Sequence, residues 1–219
     1  MGIVNQTNLK DVVAAHIREN ILSGTVRAGE KIDQDQLAHD LGVSKLPVRE
    51  ALIQLASEGL VDNRARRGAY VSALEPDDVL DHYQVYGLVS GVAAHRAATR
   101  MSEEEIDQLE SILLRMDATS DAAELEALNT EFHRRINVAG ASGRLLAILK
   151  TLSYSLPGAF YEFAEGWEHE ARKHHWDILE AIKSRDGEET AGYVASHLAA
   201  GGKFAVGLLE GRGFWNGDK

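Results

Sequence analysis

The chain has 219 residues and no cysteine, enough for one or two domains with a sizeable core but for neither a disulfide framework nor a thiolate metal site. Its 44% hydrophobic and 26% charged residues are globular composition rather than disorder, and no stretch reads as a signal peptide or approaches the roughly 18 apolar residues of a membrane helix, so a cytoplasmic protein is expected. A formal net charge of −11, taken whole, speaks against a nucleic-acid partner.

Val13, Ile17 and Ile21 recur at i+4 and predict a first helix that ends at Ser23-Gly24. Asp33 followed by Gln36 has the spacing of a capping box for a second helix ending at Gly42. Ser44 is a good N-cap for a third helix, and Pro47 falls inside the first turn, where its missing N–H costs little. Val48, Ala51, Leu52 and Leu55 give that helix a buried face, and Gly59 ends it. Leu60–Asn63 and Ala69–Ser72 then read as two short strands around a tip of Arg64, Ala65, Arg66, Arg67 and Gly68. A polar joint at Leu74-Glu75-Pro76-Asp77 divides the chain into residues 1–75 and 76–219.

Beyond the joint every predicted element is a helix. The first covers Asp77–Thr99. Ser102 with Glu105 caps the second, which runs to about Met116. The third spans 121–139 with Leu125, Leu128, Phe132 and Ile136 on one face, and the fourth spans 143–155, before Pro157-Gly158. A fifth ends near Ser184, a sixth runs from Asp186 and Glu189 to about Glu210, and Gly211–Gly217 reads as a tail. The expected fold is mostly α: a winged helix-turn-helix followed by an antiparallel all-α bundle of about six helices.

Charge follows the same division. Residues 1–75 hold nine Lys/Arg and ten Asp/Glu, a net of −1, and the rest of the chain carries −10. The reservation against nucleic acid therefore applies to the bundle and not to the N-terminal third. In a helix-turn-helix the second helix enters the major groove with its N-terminal residues on base edges. Ser44, Lys45, Leu46 and Arg49 occupy that end. Lys45 and Arg49 are one turn apart on one side, an arginine there can bridge guanine O6 and N7, and Ser44 with the helix N-terminus suits a phosphate oxygen. Arg64, Arg66 and Arg67, beside Gly68, form a hairpin tip suited to phosphates or the minor groove.

Four of the nine histidines stand out: His133, His174, His175 and His197. Asn129 and His133 lie one turn apart beside an apolar stripe. His175 precedes Ile178, Leu179 and Ile182, and His197 adjoins Val194 and Leu198. Three helices can thus aim imidazoles at one interior point, a donor set that suits Zn, Ni, Mn or Fe. Taken singly, each histidine reads first as a hydrogen-bonded residue at the edge of the core.

The ordered set Ile21–Gly24, Ala28–Ile32, Leu37-Ala38, Leu41–Ser44, Pro47–Leu52, Glu58–Val61 and Arg67–Val71 closely resembles the winged-helix domain of the GntR family of bacterial transcriptional regulators. Where that family usually reads Ser-Arg-Thr-Pro-Val-Arg, this chain reads Ser44-Lys45-Leu46-Pro47-Val48-Arg49, so operator sequence does not carry over. Residues 77–210 resemble the FCD ligand-binding domain of the FadR subfamily, through Asn129–His133, Ala141–Gly143, His175–Ile182 and His197-Leu198. The resemblance implies a divalent metal ion (Zn, Ni or Mn) held by Asn129, His133, His175 and His197, with Asn129 where the family has an acid and His174 as a neighbour. It also implies an effector pocket beside the metal. Tyr86 stands where the family offers an arginine that clamps a carboxylate; His82, Arg96, Arg134 and Arg135 are substitute cations, and Tyr154 and Tyr161 are further lining candidates.

The expected function is a ligand-responsive transcriptional repressor, a homodimer on a pseudo-palindromic double-stranded operator, with an acid-like small-molecule effector and no membrane partner. One alternative is a regulator for which the ion itself is the signal. Another is a helical metalloenzyme; against it, no carboxylate general base sits at motif spacing from the histidines, and no Glu-x-x-His pair of a di-iron bundle exists, since the residues three before His133, His175 and His197 are Thr130, Arg172 and Val194.

Overall fold

A computed structural model of the chain describes residues 8–155 and 167–215, the side chains of residues 154, 155 and 168 excepted. Among them it divides into two compact units, 8–75 with 213–215, and 76–212.

In the first unit α1 (Leu9–Leu22), α2 (Gln34–Asp40) and α3 (Lys45–Ser57) are followed by β2 (Val61–Arg64) and β3 (Gly68–Val71). The repeat Val13, Ile17, Ile21 is buried against Val48, Ala51, Leu52 and Leu55, as the periodicity of both helices requires. Asp33 caps α2 by accepting from the backbone N–H of Asp35 and Gln36. The reciprocal half of the expected capping box is not made, because the Gln36 amide donates instead to Asp40 at 2.7 Å. Gly42, at φ +64°, makes the turn into α3, a backbone conformation that costs glycine little. Ser44 is the N-cap of α3, but its hydroxyl makes no capping bond.

Sequence reading missed a third strand, β1 (Lys31–Ile32). It pairs antiparallel with β3, Lys31 opposite Tyr70 and Ile32 opposite Ala69, so the sheet order is β1-β3-β2. Two residues are too few to show alternation. The expected tail also differs: the Trp215 indole N–H donates to the Leu74 carbonyl at 2.6 Å.

The second unit is six helices among the described residues: α4 (Pro76–Arg100), α5 (Glu103–Ala118), α6 (Ala122–Gly140), α7 (Gly143–Ser155), α8 (Trp167–Lys183) and α9 (Gly187–Gly211). Ser102 and Glu105 form the full reciprocal box at the start of α5. Pro157-Gly158, expected to end the fourth helix, lies outside the described residues.

Small residues set how α4 and α9 meet. Built side chains at Gly87 and Gly91 would strike the backbone at Ala195 and Ala191; those at Gly187 and Gly202 would strike His95 and Tyr83. Partners that fall along one helix as they rise along the other define an antiparallel pair at close approach. Gly140, the last residue of α6, sits equally tightly on α4: a Cβ there would lie 1.8 Å from the Ala93 carbonyl oxygen. Phe132, Leu109, Leu113, Met116, Ile178 and Ile182 fill the core between the helices. No helix among the described residues is long and apolar enough to cross a membrane.

Candidate functional site

The first unit presents the end of α3 and the β2–β3 hairpin. Pro47 and Val48 are buried, which leaves Ser44, Lys45, Leu46 and Arg49 exposed at the start of the helix. Lys45 is not bare: its ammonium pairs with Asp35 of α2 at 2.8 Å. Arg64 pairs with Asp62 at 2.8 Å and lies 4.3 Å over the Tyr70 ring. Arg49, Arg66 and Arg67 are exposed with no ion-pair partner among the described residues. At the hairpin tip the Arg67 N–H donates to Arg64 O, with Arg66 at φ +62° and Gly68 at φ +104°. Sequence reading treated these cations alike; the structure separates two already matched by carboxylates from three that are free.

Behind this surface is a pair that no local pattern announces. Arg18 of α1 and Glu58, the C-cap of α3, meet at 2.6 Å with side chains 8% and 3% exposed. Gln54 also donates to the Glu58 carboxylate, at 3.0 Å. The pair ties α1 to the end of the helix whose start carries the candidate DNA contacts. Forty residues of separation hide it from any periodicity.

In the second unit the histidines of α6, α8 and α9 converge. His133 Nε2 lies 3.1 Å from His197 Nε2 and 3.3 Å from His175 Nε2. His175 and His197 are buried and His133 half-buried. Burial pulls the His133 imidazole down to about pH 4. Burial, then the neighbouring imidazoles, holds His175 and His197 well below the usual range. All three are neutral at pH 7, with nitrogen lone pairs available.

The donor set fits a cation. A neutral Nε2 either donates one hydrogen bond or accepts one, so His133 cannot satisfy both neighbours. A central ion would satisfy all three nitrogens together. With zinc–nitrogen bonds of about 2.0–2.1 Å, tetrahedral ligand atoms stand about 3.3 Å apart, close to the two separations from His133. The Nδ1 atoms of His175 and His197 are buried without a hydrogen-bond partner among the described residues. Aromatic packing holds the rings instead: Phe132 lies 5.0 Å from His175, and Trp167 stacks on His197 at 5.9 Å. Trp167 carried no sequence signal for this role, since its spacing from His197 is purely tertiary.

The remaining candidates fall in different places. Asn129 is half-buried one turn before His133 on the same face of α6. His174 stands edge-on to His197 at 5.7 Å, a neighbour of the cluster. Tyr86 packs against the bundle core, and burial pushes its phenol up to about 12. His82 lies 6.5 Å from Tyr86 and donates to the Leu152 carbonyl of α7 at 2.9 Å. Arg134 departs from its expected role: its guanidinium forks onto Glu131 at 2.8 and 3.0 Å on the exposed side of α6, and Arg135 pairs with the same carboxylate. One residue past His133 turns a side chain about 100° round the helix, away from the cluster. Tyr154 lies in the last turn of α7 with its side chain outside the described residues, as Tyr161 is entirely.

Comparison with known proteins agrees with this architecture. Residues 9–71 match the model of bacterial regulatory proteins of the gntR family, and residues 81–200 match the FCD domain. The chain belongs to the GntR family, with an FCD domain following its winged helix-turn-helix. It is 32% identical over 152 residues to an uncharacterized HTH-type transcriptional regulator of Mycobacterium tuberculosis, a match covering 69% of this chain and 62% of that relative. The chain thus spans about three fifths of that relative's length. It is 30% identical over 176 residues to the Nta operon transcriptional regulator of Aminobacter aminovorans, covering 78% of this chain and 82% of the relative. The fold is that of E. coli McbR/YncC, with a TM-score of 0.69 at 18% identity, over 94% of this chain and 99% of that one. These are the family and fold of transcriptional regulators and not of an enzyme.

Proposed function

We propose that this chain is a cytoplasmic DNA-binding transcriptional regulator, a repressor, whose helical unit binds a divalent metal ion and a small organic, acid-like effector. In this reading Ser44, Lys45, Leu46, Arg49 and the tip Arg64–Gly68 contact an operator. Homodimers would read a pseudo-palindrome, since a two-fold protein presents two equivalent reading heads. Relatives named as repressors support the direction of control.

The observation that carries the sensor half is the convergence of three neutral imidazole nitrogens from α6, α8 and α9. His133, His175 and His197, with Asn129 through its amide oxygen, would hold Zn, Ni or Mn. When bound, the ion supplies a positive charge that an effector oxygen can meet. The chain's own part is to hold the rings by aromatic packing and to keep their lone pairs unprotonated. Tyr86 and His82 would face the effector side. Coupling between such a site and DNA is typically about 1–3 kcal/mol.

Operator binding by the full-length protein and by Arg49→Ala tests the DNA half. Specific affinity should collapse in the variant while the fold is retained; unchanged affinity refutes the assignment. Elemental analysis of wild type and His175→Ala tests the metal half. Metal in the first and none in the second is expected, and equal near-zero content in both refutes it. All four proposed donors are uncharged, which favours weak, reversible binding. That supports a second reading, with the ion as the signal, distinguished by operator release on adding metal alone.

A further inference from the structure

The outward face of α3 differs from the one the sequence suggested. Val48, Ala51, Leu52 and Leu55 are buried, and at 100° per residue the opposite direction is centred on Leu46, Glu50 and Ile53. Leu46 and Ile53 are 64% and 65% exposed. Arg49 flanks this stripe. Lys45 lies 100° from Leu46, nearer the buried side, where Asp35 holds its ammonium.

Leu46 is therefore the most outward side chain of the first turn, the turn that a helix-turn-helix puts against base edges. An isobutyl group offers nothing to a phosphate oxygen and nothing to a base nitrogen or carbonyl. The major groove has one apolar group it can meet, the C5-methyl of thymine. Ile53 shares the face but lies about 10 Å further along the axis, beyond the first turn.

We infer that Leu46 is a specificity-determining residue that reads a thymine methyl in each half-site, beside the guanine contact assigned to Arg49. This rests on the DNA-binding reading above. It adds a requirement that the charged contacts do not impose: thymine, not merely a pyrimidine, at one position per half-site.

The test uses the full-length protein and a duplex recovered by selection from random sequence. Each thymine is replaced in turn by deoxyuridine, which keeps the base pairing and removes only the methyl. One position per half-site should weaken binding about fourfold, or about fifteenfold with both half-sites changed. Leu46→Ala should bind the unmodified duplex more weakly by a similar factor and be indifferent to deoxyuridine at that position. Its side chain is exposed, so its thermal midpoint should match wild type. Wild-type affinity indifferent to deoxyuridine at every position overturns the inference alone, as does Leu46→Ala that keeps the wild-type sensitivity. Selection that recovers no preferred sequence overturns the DNA-binding reading and this inference with it.

Discussion

Removing Glu58 should loosen the DNA-reading unit more than any exposed substitution on it. Its carboxylate is 3% exposed and meets a guanidinium that is 8% exposed, at 2.6 Å. Glu58→Ala leaves Arg18 buried without its counter-charge, and the Arg18 Nε already lacks a partner among the described residues. Breaking one side of a buried pair costs about 3–5 kcal/mol. Hydrogen exchange in α1 and α3 reads this unit by itself. Amides there should exchange about 150- to 5,000-fold faster, up to the limit set by global unfolding. Replacing both partners by apolar residues of similar size, Arg18→Met with Glu58→Leu, should restore protection to within about tenfold of wild type, because the cost lies in the uncompensated charge and not in lost packing. A single variant whose exchange rises less than tenfold would refute the reasoning. So would a double variant as unprotected as the single.

Gly140→Ala should destabilise the bundle by about 3 kcal/mol or more in urea unfolding, since the new Cβ would stand 1.8 Å from the Ala93 oxygen and 2.9 Å from the Ala97 nitrogen, both backbone. In metal-free protein, stability should fall as pH drops from about 6.5 through 4. The His133 imidazole is lowered to about 4 in the fold, so the unfolded chain binds the extra proton first; the loss is about 3 kcal/mol for this residue, and His133→Gln should remove that share of the fall in denaturant midpoints across the window while His175 and His197, also lowered, keep the rest. Asn129→Asp should raise affinity for added Zn at least tenfold in competition with a chelating dye, because a carboxylate adds charge to an otherwise neutral donor set; unchanged affinity would place residue 129 outside the metal's reach.

Where the physics is local, the chain could be read directly. The i+4 repeat of α1, the Ser102/Glu105 box and the face Leu125, Leu128, Phe132, Ile136 each depend on neighbours within two turns, and each is present. What stayed hidden depends on partners distant in sequence. Strand β1 exists because β3 supplies its hydrogen bonds. The Arg18–Glu58 pair and the Trp215–Leu74 bond span 40 and 141 residues. Motif spacing placed Asn129 and His133 on one face, yet only the packing of α8 and α9 brings His175 and His197 to within hydrogen-bond distance of one another's neighbour, His133. No spacing selects Arg134 among the substitute cations, and helical geometry turns it to Glu131.

The same distinction between free and matched charge gives the acidic chain a measurable signature on DNA. A net of −10 lies in the bundle unit, so the cations of the first unit set the salt dependence. Arg49, Arg66 and Arg67 have no ion-pair partner among the described residues; Lys45 and Arg64 already face Asp35 and Asp62. A cation matched by a protein carboxylate does not neutralise a phosphate unless that pair opens. In the proposed homodimer Arg49 is taken by guanine, so Arg66 and Arg67 of each of two subunits release about four counterions, and log K should fall against log salt concentration with a slope near −4. If the two paired cations also took phosphates, eight contacts would give a slope near −7. A steeper slope than −4 in wild type that relaxes in Arg64→Ala would show that Asp62 gives way on binding. A slope near −7 that ignores Lys45→Ala and Arg64→Ala would mean that phosphates are met by residues other than those assigned here.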